Sequence, residues 1–202
     1  MSTQNLFGVT FELMVNSALI NLLKNNSTKL PTKTFIAQQL NSTPKKLGLS
    51  NISVEDLILK SLNNYEFEIN SILENILKDR KNDSLEEKVT VFTKEIIKTL
   101  LSKPQLAHIL SFNNLYANLE FSSSVTSINL TTYFAYKRLF NRFNEKISNT
   151  FSKLFNDLLS GIYLNISQNI SHGVSQSILQ DLEEEINNEI TLLKNLVKKI
   201  SI

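Results

Sequence analysis

Apolar residues recur along this chain at the three- and four-residue spacing of amphipathic helices, and no segment shows the alternation typical of a strand. The pattern therefore predicts an all-α protein. In the first such stretch, FGVTFELMVNSALINLLKNN, one face carries Phe7, Phe11, Met14, Val15, Ala18, Leu19, Leu22 and Leu23. In the last, from Val174 to about Ile200, one face carries Ile178, Leu182, Ile186, Ile190, Leu193, Val197 and Ile200.

Capping residues divide the chain between these two stretches. Thr32 can cap a helix, and Ser53 with Asp56 and Ser84 with Glu87 have the spacing of capping boxes. The polar stretch FSSS predicts a loop. The predicted helices cover residues 32–40, 43–47, 53–62, 65–79, 84–102 and 104–120, followed by a long stretch from 125 that is kinked or divided before residue 161.

Composition agrees with long helices and excludes several classes of protein. The chain has only four Gly and three Pro, so most of it contains no strong helix breaker. It has no Cys, which excludes disulfides, thiol catalysis and thiolate metal sites. The start of the chain lacks the pattern of a signal peptide, because Glu12, Asn16 and Asn21 interrupt its apolar residues. With no segment of membrane-spanning length, we expect a cytoplasmic protein without a membrane partner.

The basic residues are concentrated near the start of the chain, although the net charge is only +2. Up to Lys60 there are six lysines and three acidic residues, whereas the remainder has 15 basic and 16 acidic residues. A small DNA-reading module needs such an excess to attract phosphates. The alternative is a chance surplus of solvated lysines.

Enzymatic chemistry has little support in the sequence. The two histidines, His108 and His172, do not have the spacing that places metal ligands on one helical face, and no Gly-rich phosphate loop is present. The acidic run from Asp181 to Glu189 is better explained as a complement to the helix dipole. We therefore expect no catalytic residues, no metal site and no cofactor.

Two stretches resemble the TetR-type family of transcriptional regulators. FELMVNSALINLLKNNSTKLPTKTFIAQQL resembles the opening of that family, with Leu30, Thr32, Ile36 and Ala37 at the positions that dock its second helix. SKPQLAHILSFNNLYANLEFSSSVTSINLTTYFAYKRLFNRF resembles part of its regulatory domain, with matches at Pro104, Leu106, Leu110, Leu119 and Glu120. The resemblance implies a three-helix helix-turn-helix DNA-binding domain over residues 1–64 and a helical ligand-binding and dimerisation domain over residues 65–202.

In that family a short second helix ends in Gly-Val-Ser, a recognition helix with a Leu-Tyr-x-x-Phe core follows, and Asn-Lys-Glu-Glu-Leu opens the next helix. Here TFIAQQL matches the second helix and GLS at 48–50 matches the turn, with NSTPKKL and NIS as insertions. This alignment predicts a recognition helix over residues 53–62. It departs from the family at Ile58 and Leu62, which replace the aromatic pair, and at the two acids Glu55 and Asp56.

On this alignment the residues expected to contact DNA fall into three groups. Lys45 and Lys46 would neutralise phosphates, and Thr32 and Lys33 would anchor the second helix on the DNA backbone. Tyr65 would donate its hydroxyl to a phosphate, or else its ring packs over the core. The expected contacts to base edges are Ser50, Asn51, Ser53 and Lys60, although Ser53 has the alternative role of a helix cap.

Aromatic residues are concentrated after residue 110, where the family encloses an apolar effector. Buried aromatic rings with one polar tip suit such a pocket, and ordinary core packing is the alternative. The predicted ligand-binding residues are Phe112, Tyr116, Tyr133 and Tyr136, with His108 as the polar contact.

The chain is also expected to form a homodimer through two segments, Phe151 to Ile166 and Val174 to Ile200. The first carries the stripe Phe151, Leu154, Phe155, Leu158, Ile162 and Ile166, and two such helices from each of two chains would form a four-helix bundle. The alternative is that the stripes cover the monomer's own helices. Together these expectations describe a repressor that binds double-stranded operator DNA as a homodimer and is released by a small apolar effector. The alternative function is a helical protein-interaction module that has lost DNA binding.

Overall fold

The computed structural model describes residues 30–111 and 121–171, together with residues 11, 13–15, 17 and 18 near the start and 184, 188, 191 and 195 near the end. Within this part of the chain the secondary structure is entirely helical, as predicted. The residues described before residue 20 are helical, with Met14, Val15 and Ala18 buried. This agrees with the apolar face predicted for the first helix.

The first helix with described ends, α1 (Lys33–Gln39), is short and capped at both ends. The Thr32 hydroxyl accepts a hydrogen bond from the Phe35 N–H at 3.1 Å, as its position predicted. At the other end Asn41 has a positive φ of 49°, and the Ser42 N–H donates to the Ala37 carbonyl at 2.8 Å. A left-handed residue at this place stops a helix by satisfying its last carbonyls.

The largest difference from the predicted helices is α2 (Val54–Asp79), which is one continuous helix of 26 residues. Its start is confirmed, because Ser53 and Asp56 form a reciprocal capping box. The predicted break near residues 63 and 64 is wrong. Leu62, Tyr65 and Ile69 on either side of it are all buried, so packing of this face against the core continues the helix through two asparagines. The two predicted domains therefore share this helix.

Two further helices follow α2. The helix α3 (Leu85–Ser102) begins at a capping box of Ser84 and Glu87 and ends where predicted. Next, α4 (Pro104–Ser111) begins directly after Lys103, with proline at its first position. At the break between α3 and α4 the Lys103 carbonyl accepts the Leu106 N–H at 2.9 Å.

The long C-terminal stretch is divided at residues 140–144 into α5 (Phe121–Leu139) and α6 (Glu145–Ser171). The prediction of a loop at FSSS is wrong, because these residues form the first turn of α5. The division comes earlier than Gly161, which lies inside α6. Asn144 starts α6 by accepting the Ile147 N–H on its side-chain oxygen at 3.0 Å.

The helices pack around one apolar core that extends from Met14 to Ile166. The pairs α2 with α3 and α5 with α6 are in contact, as are α2 with α5 and α4 with α6. On α2, Glu66 accepts hydrogen bonds from the hydroxyls of Ser127 and Thr131 at 2.9 and 2.6 Å. Farther along, Glu74 pairs with Arg138, so α2 and α5 run in the same direction.

The stripe on α6 that was predicted to dimerise is divided in the structure. Phe155, Ile162 and Ile166 are buried in the core of the monomer, which is the alternative reading for these residues. By contrast, Leu154 is exposed, and Phe151 and Leu158 are half-buried. In the predicted last helix the described residues Glu184, Asn188, Thr191 and Asn195 are helical and exposed. The apolar stripe of that helix lies outside the described residues.

No helix in the part of the chain that the structure describes is long and apolar enough to cross a bilayer.

Candidate nucleic-acid interface

A short irregular segment, residues 43–51, joins α1 to α2 and displays four of the predicted DNA contacts. It contains one helical turn, in which the Leu47 N–H donates to the Thr43 carbonyl at 3.1 Å, followed by a 3-10 turn at Leu49–Asn51. The Thr43 hydroxyl caps this turn by accepting the Lys46 N–H at 3.3 Å. We call these nine residues the connecting segment.

The connecting segment packs against the core through Leu47 and Leu49 and bends sharply between them. Leu49 is fully buried, and its N–H donates to the Pro44 carbonyl at 2.8 Å. Gly48 just before it has φ +72°, a conformation that residues with a Cβ rarely adopt. Two leucines that pack against the core, with one left-handed residue between them, therefore set the position of the surrounding polar side chains.

Those polar side chains point to solvent and are basic or neutral. Lys45, Lys46, Ser50 and Asn51 are all exposed. No acidic residue occurs between Glu12 and Glu55 in the sequence, so the segment itself has no internal counter-charge. An exposed surface with ammonium groups, a hydroxyl and an amide has the donors that phosphates and base edges require.

Two other predicted DNA contacts, Thr32 and Lys33, lie at the start of α1, next to this surface. The Lys33 ammonium donates to the Ser50 carbonyl at 3.4 Å and so connects α1 to the connecting segment. Thr32 is exposed beside it and caps α1. The structure thus brings Thr32 and Lys33 to the same side of the chain as the connecting segment.

The first turn of α2 has an acidic character that is fixed by capping. The Ser53 hydroxyl accepts the Asp56 N–H at 2.9 Å, and the Ser53 N–H donates to the Asp56 carboxylate at 3.0 Å. These two hydrogen bonds, with the nearby Lys33 ammonium, hold the pKa of Asp56 below its ordinary value. Ser53 is therefore a helix cap, the alternative given for it, and it is not free to read a base.

The stretch predicted to be a recognition helix, residues 53–62, is the first part of α2, so its predicted end near residue 62 is wrong. Its Leu57, Ile58 and Leu62 side chains are buried, which a recognition helix also requires of its inner face. Lys60 is exposed, but its ammonium lies 5.2 Å from the centre of the Phe11 ring, a cation–π contact that holds it over the first helix. The polar surface near α1 is supplied by the connecting segment instead.

For Tyr65 the structure supports the alternative given for it, packing of the ring in the core, and not donation to a phosphate. Its side chain is only 1% exposed, so its ring packs in the core. Burial raises the pKa of Tyr65 well above its ordinary value, and the neighbouring Tyr163 raises it further. The two hydroxyls lie near each other, and the Tyr163 hydroxyl also lies near Thr132, but neither forms a hydrogen bond of good geometry in the described part of the chain.

Of the predicted ligand-binding residues, Tyr136 is a core residue. Its hydroxyl lies 2.8 Å from the Thr93 hydroxyl, and its ring contacts Phe92 edge-on at 5.1 Å and Phe155 at 5.0 Å. Burial raises its pKa. With its polar tip already paired, Tyr136 has the alternative role of core packing and is no longer a candidate for effector binding.

The other predicted ligand-binding residues are tested less directly. Tyr133 is half-buried and donates to the Asn149 side-chain oxygen at 3.2 Å. Phe112, Tyr116 and the side chain of His108 lie outside the described residues. Sequence reasoning missed the cleft beside Phe11 that is described below, because its residues come from four separate helical stretches.

Within the described residues, no three His, Asp or Glu side chains are grouped in a way that could hold a metal ion.

Comparisons with known proteins found no relatives of this chain. No family model matches the chain, and no curated protein or solved structure gives a match either. The interpretation of the connecting segment therefore rests on its own chemistry and on its sequence pattern.

Proposed function

We propose that this protein is a DNA-binding regulator of transcription, most simply a repressor that acts as a homodimer, and that the connecting segment is its DNA-reading element. The single observation that carries the proposal is the exposed group Lys45, Lys46, Ser50 and Asn51 on a short segment anchored by one buried leucine. A reading element needs such a combination, because phosphate contacts position a protein and amide contacts specify bases.

The resemblance to TetR-type regulators supports this assignment in a revised register. That family has Asn-Lys-Glu-Glu-Leu at the opening of the helix after its recognition element. Ser53-Val54-Glu55-Asp56-Leu57 has the same order of cap, two acids and leucine, and it opens α2. In this register the reading element precedes Ser53, and the two acids no longer lie at its start.

Charge supports the proposal as well. In the earlier register Glu55 and Asp56 would have approached phosphates, at an electrostatic cost. In the revised register Asp56 is occupied with capping, and the exposed ammonium groups of Lys45 and Lys46 approach the DNA backbone. Neutralising these two lysines would therefore first weaken the non-specific electrostatic attraction to DNA.

The experiment is fluorescence anisotropy with two duplexes of equal length, one from the region upstream of the protein's own gene and one of scrambled sequence. We expect tighter binding to the first, and Asn51→Ala should reduce the preference more than it reduces binding to the scrambled duplex. Equal affinity for both duplexes, unaffected by Asn51→Ala, would contradict sequence reading by this segment.

A second candidate function is a helical protein-interaction module. It is favoured by exposed apolar side chains on α2 and α5, namely Phe67, which is 72% exposed, with Leu130 and Phe134. Large exposed apolar residues are typical of protein contact sites. Absence of binding to any duplex at low salt would favour this second function.

A further inference from the structure

A small cleft of about 110 Å³ lies between the first helix, α2 and the junction of α3 with α4. Phe11 and Val15 line one side of it, and Leu106 contributes a further apolar surface. Ser61 and Asn64 of α2 line another side, and neither makes a hydrogen bond among the described residues. The cleft therefore combines an apolar wall with polar groups that have capacity to bind a guest.

The charged part of the cleft is an ion pair. The Lys103 ammonium donates to one oxygen of the Glu68 carboxylate at 2.6 Å, and the two side chains are 27% and 36% exposed. This contact uses one of the three ammonium hydrogens and one of the two carboxylate oxygens. A guest can therefore bind Lys103 with an anionic group and Glu68 with a cationic group without breaking the pair.

Size restricts the guest. A cavity of about 150 Å³ holds a benzene ring, so the present cleft of about 110 Å³ encloses less than a benzene ring and leaves the rest of a guest at its open side. An apolar portion would contact Phe11, Val15 and Leu106, and two opposite charges would lie on the Glu68 and Lys103 side. Since Asn64 offers both a donor and an acceptor, it can bind either charged group.

We propose that this cleft binds a small zwitterion, an α-amino acid with a short aliphatic side chain. Its carboxylate binds the Lys103 ammonium, its ammonium binds the Glu68 carboxylate, and its side chain contacts the wall formed by Phe11 and Val15. Charge-assisted hydrogen bonds of both signs in a partly enclosed cleft select against molecules with only one charge.

The position of the cleft gives this site a role that rests on the proposed function. Phe11 lines the cleft and also lies under the Lys60 ammonium of α2, and α2 begins directly after the connecting segment. The position of the connecting segment depends on how the first helix and α2 are arranged. A guest bound between these two helices therefore has a different affinity for each arrangement. In that role the amino acid is the effector, and it changes the affinity for DNA by its own differential affinity for the two arrangements.

The test is titration calorimetry on the full chain without DNA. The probes are L-valine, 3-methylbutanoate, which lacks the ammonium group, isobutylamine, which lacks the carboxylate, and L-tryptophan, which is too large. We expect L-valine to bind at least about tenfold more tightly than the other three, which corresponds to about 1.4 kcal/mol. Similar affinity for L-valine and its singly charged analogues, or no binding of L-valine, would overturn the site.

Three variants locate the binding. Glu68→Gln removes the partner of the ligand's ammonium group, and Ser61→Phe fills the cleft without touching the ion pair. Both should weaken L-valine binding by at least about tenfold. The matched control is Lys94→Met, which removes an exposed lysine of α3 that lies eight residues, or about two helical turns, before Ser102 and should leave binding unchanged. Circular dichroism of each variant identifies any that does not fold, and unaltered binding by folded Ser61→Phe would place the ligand elsewhere.

Anisotropy with the upstream duplex, with and without L-valine, separates this inference from the proposed function. If L-valine binds but no duplex does, the cleft stands and DNA reading fails. If the duplex binds but L-valine does not, only the present inference fails. If both bind and L-valine leaves the DNA affinity unchanged, the effector role is overturned.

Discussion

Three tyrosines buried in the same core allow a matched test of how hydrogen bonding of a buried hydroxyl affects stability. Tyr136 is paired with Thr93 at 2.8 Å, whereas the hydroxyls of Tyr65 and Tyr163 lie near each other without a hydrogen bond of good geometry in the described residues. Replacement of each by Phe removes one oxygen and leaves the ring in place. The three variants therefore differ mainly in the hydrogen bond that is lost.

The expected changes in the free energy of unfolding have opposite signs. A typical intramolecular hydrogen bond contributes about 0.5–1.5 kcal/mol, so Tyr136→Phe should destabilise the protein by about 1 kcal/mol. A buried polar group without a partner costs about 1–3 kcal/mol, so Tyr65→Phe and Tyr163→Phe should leave the stability unchanged or raise it by up to that amount.

The assay is urea unfolding followed by circular dichroism, with the slope of free energy against urea compared among the variants. An equal slope shows that only stability has changed. If Tyr65→Phe and Tyr163→Phe each destabilise the protein as much as Tyr136→Phe does, their hydroxyls have partners and the reasoning is refuted. The double variant Tyr65→Phe/Tyr163→Phe detects coupling between the two hydroxyls as a departure from additivity.

Several other outcomes follow from the same structure. Leu49→Ala should destabilise the protein by about 2–5 kcal/mol, measured by urea unfolding, because it removes the buried anchor of the connecting segment; a loss below about 0.5 kcal/mol would contradict that role. Gly48→Ala has open space for its Cβ but requires a positive φ, so it should cost about 1 kcal/mol, and a stabilised variant would refute this. Burial raises the pKa of Tyr163 to about 12, so its contribution to stability is complete below the unfolded pKa of about 10 and is lost as the pH rises to about 12. Tyr163→Phe should flatten the fall in stability over that window by about 1.4 kcal/mol per pH unit, and an unchanged slope would show that the group titrates normally. If the last helix forms the dimer interface, Ile186→Glu/Ile190→Glu should yield monomers or aggregates in sedimentation, whereas a stable monomer of the unmodified protein at micromolar concentration would exclude that interface.

Local signals in the sequence predicted those parts of the fold that depend on neighbouring residues. The caps at Thr32, Ser53 and Ser84 are side-chain contacts over three residues, and all three form as expected. The end of α3 near Ser102 followed from the proline at position 104. Such contacts are visible in sequence because both partners lie within one helical turn.

Continuity of the long helices depends on distant residues and was not predictable in this way. Asn63 and Asn64 favour a break by propensity, but the buried Leu62 and Tyr65 beside them are held by other helices. At residues 140–144 the signal was present in Asn144, three residues before Ile147, as an N-cap of the same kind as Ser84. A division before residue 161 was expected, and the structure places it at residues 140–144, whereas Gly161 itself lies within α6.

The candidate site shows the same limit. The lysines of the connecting segment could be selected from the local charge, but the register of the reading element depended on where α2 begins and how far it continues. The unpaired hydroxyls and the cleft over Glu68 and Lys103 arise from residues far apart in sequence, so no local pattern indicates them.

The central claim is that the connecting segment binds DNA, and the salt dependence of binding tests it most directly. Log–log plots of affinity for the upstream duplex against salt concentration should be compared for the unmodified protein, Lys45→Ala/Lys46→Ala and the matched control Lys94→Ala/Lys98→Ala, whose lysines are exposed on α3. Each lost phosphate contact reduces the slope by about 0.9, so the first variant should bind more weakly with a slope smaller by about 2, and the control should match the unmodified protein. An equal slope for the unmodified protein and Lys45→Ala/Lys46→Ala, or an equal reduction in both variants, would contradict the claim.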